Sequence, residues 1–265
     1  MFNTCQWFFT ISDIAGLLKD VEKKSWFEDW FDSPYYHVLY AHRDEDEAEH
    51  FIRNLTSYLK VNSNQSALDL ACGKGRHSIM LNDIGLAVTG LDLSPASIQA
   101  ANASESKTLQ FNVGDMRSFT LNQKFDFVFN FFTSFGYFES KEENLQVLRR
   151  VKEHLNAQGL LIIDFLNPVE IEKSLVKSEE LERDGVKFQI SRSIQDGFIL
   201  KNIRVQAEGI DKYFQERVQA LTLNDFEQLL NSAGFEIQDT FGSYNLDDFS
   251  ENNSKRLILI AEQKG

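Results

Sequence analysis

Short apolar runs alternate with amphipathic stretches between residues 66 and 166. The runs ALDLA (67–71), AVTGLDLS (87–94), TLQFNVGDM (108–116), FDFVFNFF (125–132) and LLIIDFL (160–166) read as strands. RHSIMLNDI reads as a helix closed by Gly85, and PASIQAANAS (95–104) as one opened by a Ser94 cap with Pro95 at its first position. ENLQVLRRVKEHLNAQG (143–159) places Leu145, Leu148, Val151 and Leu155 on one side of a helix, with Gly159 at its end. Near-continuous apolar strands separated by helices predict a parallel sheet covered on both faces.

The flanks follow other periods. The first 60 residues read as helical, and from Asp44 to Lys60 the positions Ala48, Phe51, Ile52, Leu55 and Leu59 make one apolar face. Asp44, Glu45, Asp46 and Glu47 occupy its first turn, where the helix dipole favours carboxylates; they read as a solvated helix start, not a metal site. The aromatic stretch WFEDWFDSPYYHVLY (26–40) is broken at Ser33-Pro34 and is expected to bend over its neighbours. Beyond Pro168 the alternation stops. VKFQI (186–190), FILKNIRVQ (198–206) and DKYFQERV (211–218) read as strands linked by Asp184-Gly185, Asp196-Gly197 and Glu208-Gly209 turns, an antiparallel insertion or flap. A helix over 222–234, capped by Thr222 and ended by Gly234, precedes two closing strands in FEIQDTFGSY and RLILIAEQ. The organisation expected is a lid over 1–60, a core over 61–168, a flap over 169–218 and core completion over 219–265.

Charge narrows the partners. The 265 residues carry 27 Lys and Arg against 40 Asp and Glu, a formal net charge of −13, which disfavours nucleic acid and anionic membrane surfaces. Runs such as LILIA (257–261) are far below a membrane span, and the N-terminus has Asp13 in its apolar part and no basic residue before Lys19, unlike a secretory signal. Cys5 and Cys72 suggest neither a disulfide framework nor a metal site. The expectation is a cytoplasmic protein, monomeric or homodimeric.

In an open parallel sheet, ligands bind beyond the carboxyl ends of the strands. Asp69 and the Gly73–Gly75 turn follow the first strand, Asp92 ends the second, and Asp115-Met116 ends the third. The turn reads Gly73-x-Gly75-x-x-Ser78 and lacks the third glycine of a dinucleotide fingerprint. Carboxylates at Asp69 and Asp115 would repel a pyrophosphate but suit an ammonium and a sulfonium. S-adenosylmethionine carries both and has no phosphate, so a nicotinamide-dependent oxidoreductase is disfavoured.

LDLACGKGRHS (68–78), GLDLS (90–94), GDMRSF (114–119) and FDFVFNFFTSFGYF (125–138) resemble the ordered motifs of class I S-adenosylmethionine-dependent methyltransferases. The resemblance implies a doubly wound, Rossmann-like α/β sheet of seven strands with the last antiparallel. It implies that Asp69 and the backbone from Ala71 and Cys72 through Gly73 to Gly75 hold the methionine end of the cofactor. Asp92 would take the ribose hydroxyls, with Leu93 beside the adenine, Asp115 at its amino group and Met116 at its ring. Asn130, Phe131 and Phe132 would close the pocket near the methyl group. Tyr36-His37-Val38-Leu39-Tyr40 resembles the Tyr-Asp-x-Leu-Tyr element of the small-molecule branch, including deoxysugar N-methyltransferases, with His37 in place of Asp. That likeness implies a cofactor contact at Tyr36. Phe132-Thr133-Ser134-Phe135-Gly136-Tyr137 resembles the branch's loop after strand four, with Tyr137 on the substrate side. The Asn/Asp-Pro-Pro-Tyr/Phe signature of nucleic-acid amino-methyltransferases is absent.

The expected function is transfer of a methyl group to nitrogen or oxygen of a small molecule by in-line displacement. Tyr40, Arg76, Phe132 and Tyr137 are the substrate-side candidates; Arg76 could reach a substrate carboxylate or solvent. No general base is evident. Tyr137 and His37 are the catalytic candidates, with His42 a further possible base on the lid. Cys72 reads as a small buried filler, since no partner base other than His77 is evident. A non-catalytic S-adenosylmethionine-binding or interaction module is the alternative, and an RNA methyltransferase is less favoured.

Overall fold

A computed structural model describes residues 26–41 and 45–264 of the chain. The readings on the N-terminal apolar stretch, Cys5, His42 and Asp44 lie outside these residues. The lid comprises α1 (Trp26–Phe31), α2 (Pro34–Leu39) and α3 (Glu45–Tyr58). Ser33 breaks the aromatic stretch by capping α2: its extended backbone lets the side chain accept from the Tyr35 amide, and Pro34 starts the helix.

The core runs β1 (Ser66–Leu70), α4 (Arg76–Asp83), β2 (Ala87–Asp92), α5 (Pro95–Ala101), β3 (Leu109–Val113), β4 (Phe125–Asn130), α6 (Lys141–His154) and β5 (Leu155–Leu166). After the inserted segment it resumes with α8 (Leu223–Ala233), β10 (Phe235–Phe241) and β11 (Arg256–Gln263). The strands form one sheet in the order β10-β11-β5-β4-β1-β2-β3, with β11 antiparallel to both of its neighbours. Strand β1 lies between β2 and β4, so the chain reverses its direction of travel across the sheet there, and a crevice opens beyond its carboxyl end.

Alternation along the strands explains the two layers. Leu68, Val128, Ile163 and Leu259 pack under Val151 of α6 and Phe226 of α8. Their neighbours Ala67, Phe127, Ile162 and Ile258 pack under Phe51 of α3 and Leu81 of α4. Both faces are therefore buried, which is why the strands carry so few polar residues.

Two boundaries differ from the sequence expectation. The predicted helix over 143–159 stops at His154, because Leu155 is extended and pairs with Phe125. Gly159 does not end a helix. It sits inside β5, where a Cβ would lie 2.8 Å from Leu155 Cδ2 and 2.9 Å from the Phe125 carbonyl oxygen. Glycine is needed there for close approach of the two strands.

The insertion also holds more than the three expected strands. It begins with α7 (Pro168–Ser174) and forms a separate antiparallel sheet of β6 (Ser178–Arg183), β7 (Val186–Gln195), β8 (Phe198–Ala207) and β9 (Ile210–Gln219). Strand β6 reads SEELER. It is an edge strand paired only with β7, so its charges face solvent and the apolar signal of a strand is absent. The three hairpins turn on Asp-Gly or Glu-Gly pairs with both residues at positive φ, the geometry that matches strand twist. One face of this sheet, through Phe188, Ile190, Ile203 and Val205, packs on Trp30 and Leu39 of the lid.

Candidate functional site

The chain leaving β1 turns sharply through Ala71 at φ 65, Gly73 at φ 55 and Gly75 at φ 83. The Ala71 and Cys72 amides both donate to the Leu91 carbonyl, at 2.7 and 3.0 Å, which ties the turn to the end of β2. Gly75 then opens α4 beneath Phe111, whose ring would lie 2.7 Å from any Cβ at that position. Larger residues are excluded there both by the left-handed backbone and by the ring.

Asp92 sits at the junction of the turn and β2. One of its carboxylate oxygens accepts from the Gly73 amide and the other from the Ser94 amide, each at 2.8 Å. Burial pushes its carboxyl above the ordinary range, while the amides pull the other way. Asp115 ends in the opposite state. Burial raises it, but the Arg117 guanidinium grips both carboxylate oxygens and holds the group below its ordinary value.

These groups open onto a cavity of about 860 Å³ bounded by the core, the lid and the flap. Ala71, Cys72, Gly73, Asp92 and Leu93 form its floor, with Asp115, Met116 and Phe131 alongside. Tyr36, His37, Tyr40, Tyr137, Arg76 and Phe132 line it as well. Residues separated by up to a hundred positions thus share one wall. Arg76 lies over the Phe132 ring at 5.1 Å, and the His77 ring stacks on the same ring at 4.9 Å. The Tyr137 ring meets Phe31 at 5.3 Å and Trp26 at 5.7 Å, so the lid and the loop after β4 interlock edge to face. His37 is held below the usual histidine value by burial and by the charge of Lys74.

Three expected site residues do not line the cavity. Asp69 is buried beneath the turn, where it accepts a 2.6 Å hydrogen bond from the Ser78 hydroxyl. Burial pushes its carboxyl up to about 7, with the nearby Asp92 charge adding to the rise. Asn130 faces inward: its amide donates to the Leu70 carbonyl at 2.9 Å and braces β4 against β1. Gly75 packs under Phe111, as described. All three lie on the inner side of the turn and strand ends, a distinction that depends on how those segments bend and is invisible in their spacing. Cys72 does line the cavity, but burial, with Asp69 and Asp92 adding, pushes its thiol far up, which removes any thiolate role.

Other wall residues were missed from the sequence. Asp32 of the lid accepts from the Ser94 hydroxyl at 2.7 Å and reaches the Asp92 end of the cavity. Glu216, from β9 of the flap, also lines it. Neither belongs to a local motif, so no spacing signal marks them.

Behind the wall, Asp164 and Arg256 form a 2.7 Å ion pair between β5 and β11. Asp164 Oδ2 accepts from the Phe132 amide at 2.9 Å, its main-chain carbonyl accepts from the Thr133 amide at 2.9 Å, and Arg256 donates to the Thr133 hydroxyl. Phe132 and Thr133 have φ of 54° and 63°, a conformation that costs non-glycine residues of order 1–3 kcal/mol each. The buried pair holds them there and so aims Phe132 at the cavity.

Carboxylates outnumber cationic side chains on the cavity wall: Asp32, Glu45, Asp92, Asp115 and Glu216 stand against Lys74 and Arg76. Such a wall, rich also in aromatic faces, suits a cationic and phosphate-free ligand. The fold and this site define a class I S-adenosylmethionine-dependent methyltransferase, with S-adenosylmethionine as methyl donor.

Comparison with known proteins gives the family. Residues 67–159 match the family described as methyltransferase domain. The cypemycin N-terminal methyltransferase of a Streptomyces species is 26% identical over 208 residues, 75% of this chain and 84% of that protein. The dTDP-3-amino-3,4,6-trideoxy-alpha-D-glucopyranose N,N-dimethyltransferase of Streptomyces venezuelae is 30% identical over 134 residues, 50% of this chain and 56% of that one. Among solved structures, an S-adenosylmethionine-dependent methyltransferase from Clostridium acetobutylicum superposes with TM-score 0.73 at 20% identity, covering 87% of this chain and 96% of its own. The sugar N-methyltransferase KedS8 from Streptoalloteichus superposes with TM-score 0.63 at 19% identity, covering 100% and 98%. These matches agree with a class I S-adenosylmethionine-dependent methyltransferase that has distant homology to deoxysugar N,N-dimethyltransferases and other small-molecule methyltransferases.

Proposed function

We propose that this methyltransferase acts on a small molecule, at nitrogen or oxygen, by in-line displacement inside the cavity. The observation that carries this reading is the enclosure: lid, flap and core each contribute to one cavity of about 860 Å³, a volume in the range of small-molecule sites. The relatives named as acting on aminosugars support the same reading. Among the described residues no helix is long and apolar enough to cross a membrane.

In this reading Asp92 accepts from the ribose hydroxyls of the cofactor, exchanging contacts now made with two backbone amides. Leu93 and Met116 flank the adenine, with Asp115 at its amino group. The turn from Ala71 to Gly73 presents backbone to the methionine end, and Asp69 acts from beneath through its charge. Tyr36 covers the cofactor, and Phe131 and Phe132 border the methyl group. S-adenosylmethionine, when bound, supplies a methyl group activated by its sulfonium. The chain's own part is to align an acceptor lone pair with that methyl group and to exclude water. Tyr40, Arg76 and Tyr137 face the acceptor, and His37, neutral near pH 7, is a base within the lid.

Incubating the protein with S-adenosylmethionine tritiated in its methyl group and a fractionated metabolite extract is expected to label a low-molecular-mass product. Label appearing only in protein or RNA would overturn the small-molecule reading.

The same reading fixes a pH dependence. Without ligand, Asp69 holds its proton up to about pH 7, and Asp92 is shifted the same way. A nearby cation favours the ionised carboxylates, so binding S-adenosylmethionine releases protons below pH 7. Affinity therefore climbs as pH rises toward 7, by at most about tenfold per pH unit for each proton, and levels off above. Calorimetry at pH 6 in two buffers of different ionisation enthalpy reads the release directly. A binding enthalpy that does not change between buffers would contradict it.

A further inference from the structure

We infer that Glu216 is the residue that selects the acceptor, and that it selects an ammonium-bearing one; this rests on the small-molecule methyltransferase reading. Glu216 stands on β9, outside the core, yet lines the same cavity as Asp92. One carboxylate oxygen is gripped by the lid: it accepts from the Trp30 indole at 2.7 Å and from the Tyr40 hydroxyl at 2.6 Å. Trp30 itself is fully buried and packed against Phe214 at 4.7 Å, so this oxygen is fixed in position. The other oxygen has the Lys201 ammonium at 3.7 Å, beyond hydrogen-bond distance. Among the described residues no donor lies within hydrogen-bond distance of this oxygen, which leaves it to accept from a ligand in the cavity.

Lys201 also donates to the Tyr40 hydroxyl and lies over the Tyr40 ring at 4.5 Å. The Glu216 and Lys201 side chains are only 16% and 14% exposed. A carboxylate this sheltered acts at a low effective dielectric, which strengthens its attraction for a cation. Tyr36, with its ring 4.9 Å from that of Tyr40, and Tyr137 add aromatic faces on the same cavity, and such faces attract alkylammonium groups. The flap therefore brings a second fixed carboxylate to the cavity, at a place where the lid and the loop after β4 set cation-binding rings around it.

The chemistry closes. An amine arriving as ammonium passes one proton to water or to the Glu216 carboxylate, and its freed nitrogen lone pair forms the new N–C bond. The carbon–sulfur bond breaks with its electron pair going to sulfur, leaving a neutral thioether and an N-methylated ammonium.

A structural tie and an acceptor site make opposite predictions for two variants. In Glu216→Gln the amide oxygen can still accept from Trp30 and Tyr40, but the charge is gone. In Lys201→Gln the carboxylate stays and loses its resident cation. The probes are benzylammonium and its neutral isostere benzyl alcohol, binding to the protein loaded with S-adenosylhomocysteine and followed by saturation-transfer NMR. The wild type is expected to prefer benzylammonium by about ten- to a hundredfold, the range of a charge-assisted hydrogen bond. Glu216→Gln should abolish the preference, and Lys201→Gln should increase it. Both variants should bind S-adenosylhomocysteine as the wild type does, which also shows that they fold. No preference in the wild type, an unchanged preference in Glu216→Gln, or an equal loss in both variants would overturn the inference. Failure of the wild type to bind S-adenosylhomocysteine would instead count against the underlying reading.

Discussion

Replacement of Asp92 by alanine is expected to weaken S-adenosylmethionine binding by about hundredfold or more. The reading gives this carboxylate two hydrogen bonds to the ribose, each charge-assisted and worth about 1.5–3 kcal/mol, and tenfold in affinity is about 1.4 kcal/mol. Part of the loss is offset, because in the free protein the same oxygens already serve Gly73 and Ser94. Asp92→Asn keeps one accepting oxygen and should lose less. Calorimetric titration of both variants checks the order, with circular dichroism to confirm that the core survives. An Asp92→Ala protein that binds as tightly as the wild type would place the nucleoside elsewhere and remove the basis of the site assignment.

The second large effect lies behind the cavity wall. Asp164→Ala leaves Arg256, only 19% exposed, without its carboxylate, and deprives the Phe132 amide of its acceptor. Removing one partner of a buried pair costs about 3–5 kcal/mol, and the low end applies because Arg256 keeps some solvent. Denaturant unfolding should show a loss of about 3 kcal/mol. Replacing both residues, as Asp164→Asn with Arg256→Met, should cost less than Asp164→Ala, because no unpaired charge stays inside. The pair also fixes geometry, because Asp164 accepts from the Phe132 amide and Arg256 donates to the Thr133 hydroxyl. Since that geometry is the left-handed backbone at Phe132 and Thr133, the double variant should retain cofactor binding and lose turnover. Turnover left unchanged in the double variant would mean that the loop does not depend on the pair.

The sequence by itself determined the layered core and the position of the crevice. Strands buried on two faces must be apolar almost throughout, and helix caps such as Ser94-Pro95 and Thr222 with Gly234 act within a few residues, so both leave local signals. The acidic residues at successive strand ends were likewise legible, because in a parallel sheet every carboxyl end opens to the same side. Where two patterns coincided, the sequence was ambiguous. Leu155 continues the apolar face of α6 and also pairs with Phe125, and only the sheet contact decides for the strand. Strand β6 left no apolar trace because an edge strand exposes its charges. The tertiary structure alone decided which acidic residues face the cavity. Asp69 turns beneath the glycine loop, while Asp32 and Glu216, far from any motif, are carried to the wall by the lid and the flap. The Asp164–Arg256 pair, like the meeting of Glu216 with Tyr40, joins residues more than ninety positions apart. Such contacts follow from strand order and sheet packing, which no local spacing encodes.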